Sequence, residues 1–201
     1  MRLVAMTAAV VLAVACGAAE AAPLAKTLFG AKQAGSAQMP APMGSYAKGC
    51  LAGGVQMPAS GPGWHFVRLS RNRNWGHPEA FAFLTRLAAA GQAAGGSTLL
   101  VGDISQPRGG PMTTGHASHQ IGLDLDIWFR QGPGSAMSDA ARESAGAVSM
   151  VAADKRRVTA EFGPIQRALL RAAAEDDAVA RIFVNAATKA ELCRTEPAPR
   201  P

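Results

Sequence analysis

The chain has 201 residues, a formal net charge of +6 and 5% aromatic residues: enough length for one domain with a sizeable core, and few stacking platforms for nucleic acid. A basic balance favours anionic polymers or membrane surfaces as partners, because long-range fields influence partner choice more than fold. The first residues, MRLVAMTAAVVLAVACGAAEAAP, run from a single Arg2 through an apolar stretch to the small-residue triplet Ala19-Glu20-Ala21. That order is that of a secretory signal peptide, and it predicts cleavage of residues 1–21 and an exported product, which leaves no role for nucleic acid. The apolar part is short and lacks a basic flank after it, which argues against stable membrane insertion. Cys16, with Ala13 where a lipidation motif takes Leu, leaves lipid attachment as a weaker alternative.

Residues 22–63 are rich in Gly, Pro, Ser and Ala and show little periodicity, so they read as an irregular N-terminal segment lying on the surface of the domain. The domain proper is expected over 64–194, with a Pro-rich tail at 195–201. In WGHPEAFAFLTRLAAAGQAAGG, Pro78 stands near a helix start, Phe81, Leu84, Leu87 and Ala88 share one face, and Gly95-Gly96 form the stop. This predicts a helix of about four turns. STLLVGDIS reads as a buried strand, QPRGGPMTTG as a loop and AVSMVAADKRRVTAEF as a hairpin. A helix from about Pro164 to Glu175, with Ile165, Leu169 and Ala173 inward, precedes a strand at RIFVN and a short helix ending near Cys193. Without a regular strand-helix-strand alternation, the order favours α+β: a small, mostly antiparallel sheet with helices packed around it.

The densest chemistry lies in GHASHQIGLDLDIWFR, residues 115–130, which holds two of the chain's four histidines and two aspartates. From Ile121 to Trp128 the pattern alternates, so a strand would place Leu123, Leu125 and Ile127 on one face and Asp124, Asp126 and Trp128 on the other. His116 and His119 sit just before it in a Gly-bounded turn, and Gly122 allows the backbone to bend. One or both imidazoles would then face Asp126 across a small concavity. Imidazole with carboxylate is the ligand set of a catalytic zinc site, with Asp124 placed to orient a ligating histidine. The bland alternative is a solvated loop and strand face. Ser118 lacks the G-x-S-x-G elbow of a serine hydrolase. His77, at a helix start, is expected to hydrogen-bond structurally, and His65 to lie on the surface. Cys50 and Cys193 could pair with each other or elsewhere.

SHQIGLDLD resembles the H-x(6)-D core of the zinc peptidases grouped around lysostaphin, D-alanyl-D-alanine carboxypeptidases and the hedgehog N-terminal domain. GSAQ, GSYAKGC, WGHPEAFAFLTRL, LLVGDISQPRGGP, GHASHQIGLDLDIW and RIFVNAATKAELC, in order from about residue 35 to 193, are more closely similar to the penicillin-insensitive murein endopeptidases. The resemblance implies a periplasmic zinc metallopeptidase that hydrolyses D-alanyl to meso-diaminopimelate cross-links between peptidoglycan stem peptides. It implies His119 and Asp126 as zinc ligands, His116 as a further metal-region histidine and Asp154 as a family acid in the metal region. Arg71, Arg73 and Arg108 are candidates for holding stem-peptide carboxylates, since guanidinium forks fix carboxylates in orientation; as loop arginines they could equally be a solvated face.

Two departures accompany the resemblance. The family places an H-x-H motif near its C-terminus, whereas no histidine follows His119 here, and Arg157 stands where a histidine is expected. The catalytic residue that the motif would supply is therefore unassigned, and the C-terminal part of the family fold is expected to be missing. Two readings follow: a piece of a working zinc endopeptidase, or a truncated, catalytically impaired relative that binds peptidoglycan or regulates. The disulfide partners implied by the family would lie in the absent part, leaving Cys50 and Cys193 without them.

Overall fold

A computed structural model describes residues 22–196; the expected signal peptide, residues 1–21, and most of the 195–201 tail lie outside the described residues. In chain order the elements are α1 (Ala25–Gly30), β1 (Ala41–Ser45), β2 (Lys48–Ala52), β3 (Val55–Gln56), β4 (Ser60–Gly61) and β5 (Trp64–Phe66). A 3-10 turn at Leu69–Arg71, β6 (Trp75–Gly76), α2 (Pro78–Ala93), β7 (Thr98–Val101) and β8 (Ile127–Gly132) follow. The remaining helices are α3 (Asp139–Ser144), α4 (Pro164–Ala174) and α5 (Ala186–Thr195). The main sheet runs β4-β5-β7-β8; β5 and β7 are parallel and the other pairs antiparallel. The fold is thus α+β and mostly antiparallel, with one strand-helix-strand crossover (β5, α2, β7) at its centre.

The helix α2 forms where the spacing predicts it. The His77 ring accepts the Glu79 N–H at 3.3 Å as the N-cap, Pro78 opens the first turn, and Gly95 leaves the helix at φ +84°, the usual chemistry of a helix start and stop. Its inner face, Leu84, Leu87 and Ala88, packs on Phe66, Leu99, Val101 and Ile104 from the sheet side and on Leu169 and Ala173 of α4. Every residue of β7 is buried, as a short apolar run between flanking strands should be. A smaller cluster of Met150, Phe162 and Leu170 lies beside it, backed by Phe129, Val158, Val184 and Leu192.

Four expectations change. Residues 22–63 are not wholly irregular: they hold α1 and the β1–β2 hairpin, paired in register Met43↔Cys50. All five residues of β1 are exposed, so no apolar alternation announces the hairpin. The strand expected from Ile121 begins only at Ile127. Gly122 has φ +71°, and a Cβ there would lie 2.6 Å from Leu51 Cδ2, so the chain turns at that point instead of extending. The hairpin expected over 147–162 reduces to a single bridge, Val151↔Val158. RIFVN forms no strand; Phe183 is 69% exposed and Arg181 stacks on the Tyr46 ring at 4.7 Å. An apolar run alone does not make a strand without a neighbour to pair its backbone groups.

Leu84 is fully buried at the α2–sheet contact. Leu84→Ala is expected to cost roughly 3 kcal/mol of unfolding free energy, read from the denaturant midpoint at unchanged slope; a loss below about 1 kcal/mol would mean this contact does not hold the core.

Candidate metal centre

Three side chains meet just before β8. His116 Nδ1 lies 3.0 Å from His119 Nε2, His116 Nδ1 lies 3.2 Å from Asp126 Oδ2, and His119 Nε2 lies 3.3 Å from Asp126 Oδ1. They are the group among the described residues that could hold a metal ion. The His119 side chain is 1% exposed, that of His116 51% and that of Asp126 35%, so the group is closed at its base and open to solvent on one side.

The backbone that carries them is irregular and is held by side chains. Asp124 grips His119 twice: its Oδ2 accepts the His119 backbone N–H at 3.0 Å, and its carbonyl accepts from His119 Nδ1 at 3.0 Å. This brace holds His119 at φ +67°, a left-handed conformation that a histidine adopts only when its surroundings over-determine it. Ser105 Oγ donates to the His119 carbonyl at 2.8 Å. Gln120 ties the loop to the β1–β2 turn, donating to the Ala47 carbonyl at 2.8 Å and accepting from the Gly49 N–H at 3.1 Å. Asp126 is placed by the ladder, its N–H on the Asp103 carbonyl and its carbonyl accepting from the Gly102 N–H.

The donor set fits a zinc ion. Zn–N and Zn–O bonds of about 2.0–2.1 Å put neighbouring donors of a tetrahedron about 3.3 Å apart, close to the separations above. With Nδ1 donating to the Asp124 carbonyl, His119 is left with Nε2 turned toward the group, the orientation a ligating histidine takes from its outer partner. In the absence of metal a proton occupies this place. Burial is the largest single influence and pushes His119 toward its neutral form. The hydrogen bond to Asp126 and the charges of Asp126 and Asp124 together outweigh it, so the pKa is pushed up from 6.5 to about 9.

The remaining candidates lie elsewhere. Asp154 sits in an exposed turn, accepting the Arg156 N–H at 3.0 Å and pairing with Arg157 at 3.5 Å, and is not among the three. Arg73 is used in the scaffold: it pairs with Asp103 Oδ2 at 2.7 Å and donates to the Thr114 carbonyl at 2.7 Å. Arg71 reaches the same Asp103 oxygen at 3.5 Å. Arg108 donates to the Ala34 carbonyl at 3.4 Å while its own carbonyl accepts from Leu51. His77 caps α2, in the structural hydrogen-bonding role expected of it. His65, expected on the surface, is 6% exposed on β5 and bonded to Ser60 Oγ at 2.9 Å; Trp64-His65-Phe66 is an inner strand, not a loop. Cys50 on β2 and Cys193 on α5 are not joined to each other.

Sequence reasoning missed Asp103, Ser105 and Gln120. Asp103 is 4% exposed, and a buried carboxylate requires paired charge; the arginines of RLSRNRN were the available signal for it.

Two imidazoles and a carboxylate, gathered on an open face of a small α+β domain, form a group that could hold a metal ion. Residues 42–200 match the family described as penicillin-insensitive murein endopeptidase, and the chain belongs to that family. It is 43% identical to the penicillin-insensitive murein endopeptidase of Haemophilus influenzae over 157 residues, which is 77% of this chain and 54% of the relative. It is 39% identical to the Klebsiella pneumoniae protein of the same name over 79% of this chain and 57% of the relative. The figure is also 39% for the Yersinia enterocolitica protein, over 77% and 56%. The chain therefore spans about half the length of the curated relatives it matches.

His119 gives the metal-stripped protein a signed pH dependence. A pKa raised from 6.5 to about 9 on folding contributes stability that is fully present below pH 6.5 and lost as the pH rises through 9. The thermal midpoint in chelator is expected to fall between pH 6.5 and 9, and His119→Asn to lack that fall; equal profiles for the two proteins would contradict the assignment.

Proposed function

We propose that this chain carries the metal-binding part of a zinc-dependent murein endopeptidase acting on D-alanyl to meso-diaminopimelate cross-links in the periplasm. The observation that carries the reading is the convergence of His116, His119 and Asp126 within 3.3 Å on one loop, with His119 oriented by Asp124. The names of the relatives supply the substrate class, murein. Zinc, when bound, supplies Lewis acidity toward a carbonyl and lowers the pKa of water. Asp126 supplies the negative charge of the ligand set. His119 is fixed by Asp124 and burial and gives up its proton on metal uptake. His116, half exposed, forms the rim over which a cross-link would enter.

Export to the periplasm is supported by the basic, apolar and Ala-Glu-Ala order of residues 1–21. Among the described residues, no helix is long and apolar enough to cross a membrane. The basic net charge of +6 suits an anionic polymer such as peptidoglycan.

Two variants test the ligand assignment. Asp126→Ala is expected to lose stoichiometric zinc by elemental analysis after desalting; unchanged zinc content would remove the proposal. Asp124→Ala keeps all three donors and the backbone carbonyl that orients the His119 ring but removes the carboxylate that holds the His119 N–H, and its zinc affinity is expected to fall roughly 10-fold in competition with a chromogenic chelator. Wild-type affinity there would mean that the Asp124 carboxylate has no part in metal binding. Hydrolysis is read separately, by chromatography of purified cross-linked muropeptides incubated with the zinc-loaded chain.

A further inference from the structure

The wall beside Asp126 is cationic and only partly used. Asp126 Cβ and Trp128 Nε1 both lie 3.2 Å from the position of a Cβ on Gly102, so the ligand carboxylate and the indole N–H share one face of the sheet end. That N–H donates to no group among the described residues. The Arg68 guanidinium lies over the same indole, 5.2 Å from the ring centroid, and its other contact is a long one, 3.5 Å to the Ala145 carbonyl. Next to Gly102, the Asp103 carboxylate serves two guanidiniums. Arg73 holds it at 2.7 Å and is 10% exposed, whereas Arg71 reaches it only at 3.5 Å and is 40% exposed. One carboxylate against two cations leaves a surplus positive charge, and it resides on Arg71, whose fork is mostly free.

The nearest competing anion is already engaged. Glu143 accepts from the Ser70 backbone N–H at 2.8 Å and from its hydroxyl at 2.7 Å. These bonds, with the charges of Arg71 and Arg68 behind them, hold its carboxyl below the ordinary range. The same positive field is available to an incoming anion.

We infer that Arg71, Arg68 and the Trp128 indole N–H form a carboxylate subsite beside the metal centre, which holds a free carboxylate of the stem peptide while the cross-link lies against His116 and Asp126. The assignment rests on the reading of the chain as a murein endopeptidase. It selects Arg71 over Arg73, whose guanidinium is committed to the Asp103–Thr114 scaffold, and over Arg108, which lies away from this wall, against the N-terminal segment at the Ala34 carbonyl. A planar fork with unsatisfied donors suits a carboxylate, and a ring N–H beside it adds a third donor.

The test compares binding of a D-alanyl to meso-diaminopimelate cross-linked peptide dimer with free carboxylates against its amidated counterpart, using the full zinc-loaded chain and calorimetry. The free acid is expected to bind roughly tenfold more tightly than the amide. Arg71→Gln is expected to remove that preference while zinc content stays at the wild-type value, and Trp128→Phe, which keeps the ring under Arg68, to reduce it. Equal binding of the two peptides by the unaltered chain would overturn the subsite and leave the endopeptidase reading standing. A preference retained in Arg71→Gln would overturn it as well. Failure of the unaltered chain to bind either peptide would overturn the murein reading and the subsite with it.

Discussion

A loop without a ladder of its own has to hold three polar donors against one another, and two aspartates, Asp103 buried and Asp124 partly buried, make that possible. Asp103 anchors the two ends of the stretch from Thr114 to Asp126. Its side chain pairs with Arg73, which holds the Thr114 carbonyl, and its backbone carbonyl takes the Asp126 N–H. Asp124 works inside the loop, fixing both the backbone and the ring of His119. Ser105, on the His119 carbonyl, and Gln120, on the β1–β2 turn, complete the hold on the loop. The crossover of β5, α2 and β7 matters to the site chiefly because it places Asp103 at the end of a fully buried strand.

This arrangement divides the three donors by role. His119 is buried, left-handed in its backbone and bonded on every side, so it has one orientation. His116 is half exposed and is held by its contacts with His119 and Asp126. Strain of the kind at His119 persists where the surroundings over-determine it, and sites of binding and catalysis are where it collects. The open side faces solvent beside a wall of arginines, so the rigid base and the charged approach come from different parts of the chain.

Where residue spacing reports burial, the sequence was legible. Helix α2 runs from Pro78 to Ala93 with Leu84, Leu87 and Ala88 inward, and α4 runs from Pro164 to Ala174 with Leu169 and Ala173 inward, both as the periodicity predicts. The alternation L-D-L-D-I imitated a strand over 123–127, yet the backbone there is irregular. The two aspartates still serve one purpose, because both reach His119. The β1–β2 hairpin was illegible because its first strand buries nothing and is held chiefly by backbone pairing. RIFVN has the composition of a strand and no partner to pair with among the described residues. Asp103 and Gln120 could not be singled out, since their roles depend on contacts with residues 30 and 73 positions away in the chain.

The metal centre is one small group of atoms, and zinc K-edge absorption spectroscopy of the purified, zinc-loaded chain reads it directly. Imidazole scattering from two histidines, with the first shell of nitrogen and oxygen at about 2.0–2.1 Å and no sulfur near 2.3 Å, is the result expected of His116, His119 and Asp126. A sulfur shell, or a first shell without imidazole, would place the metal at other residues and contradict the account.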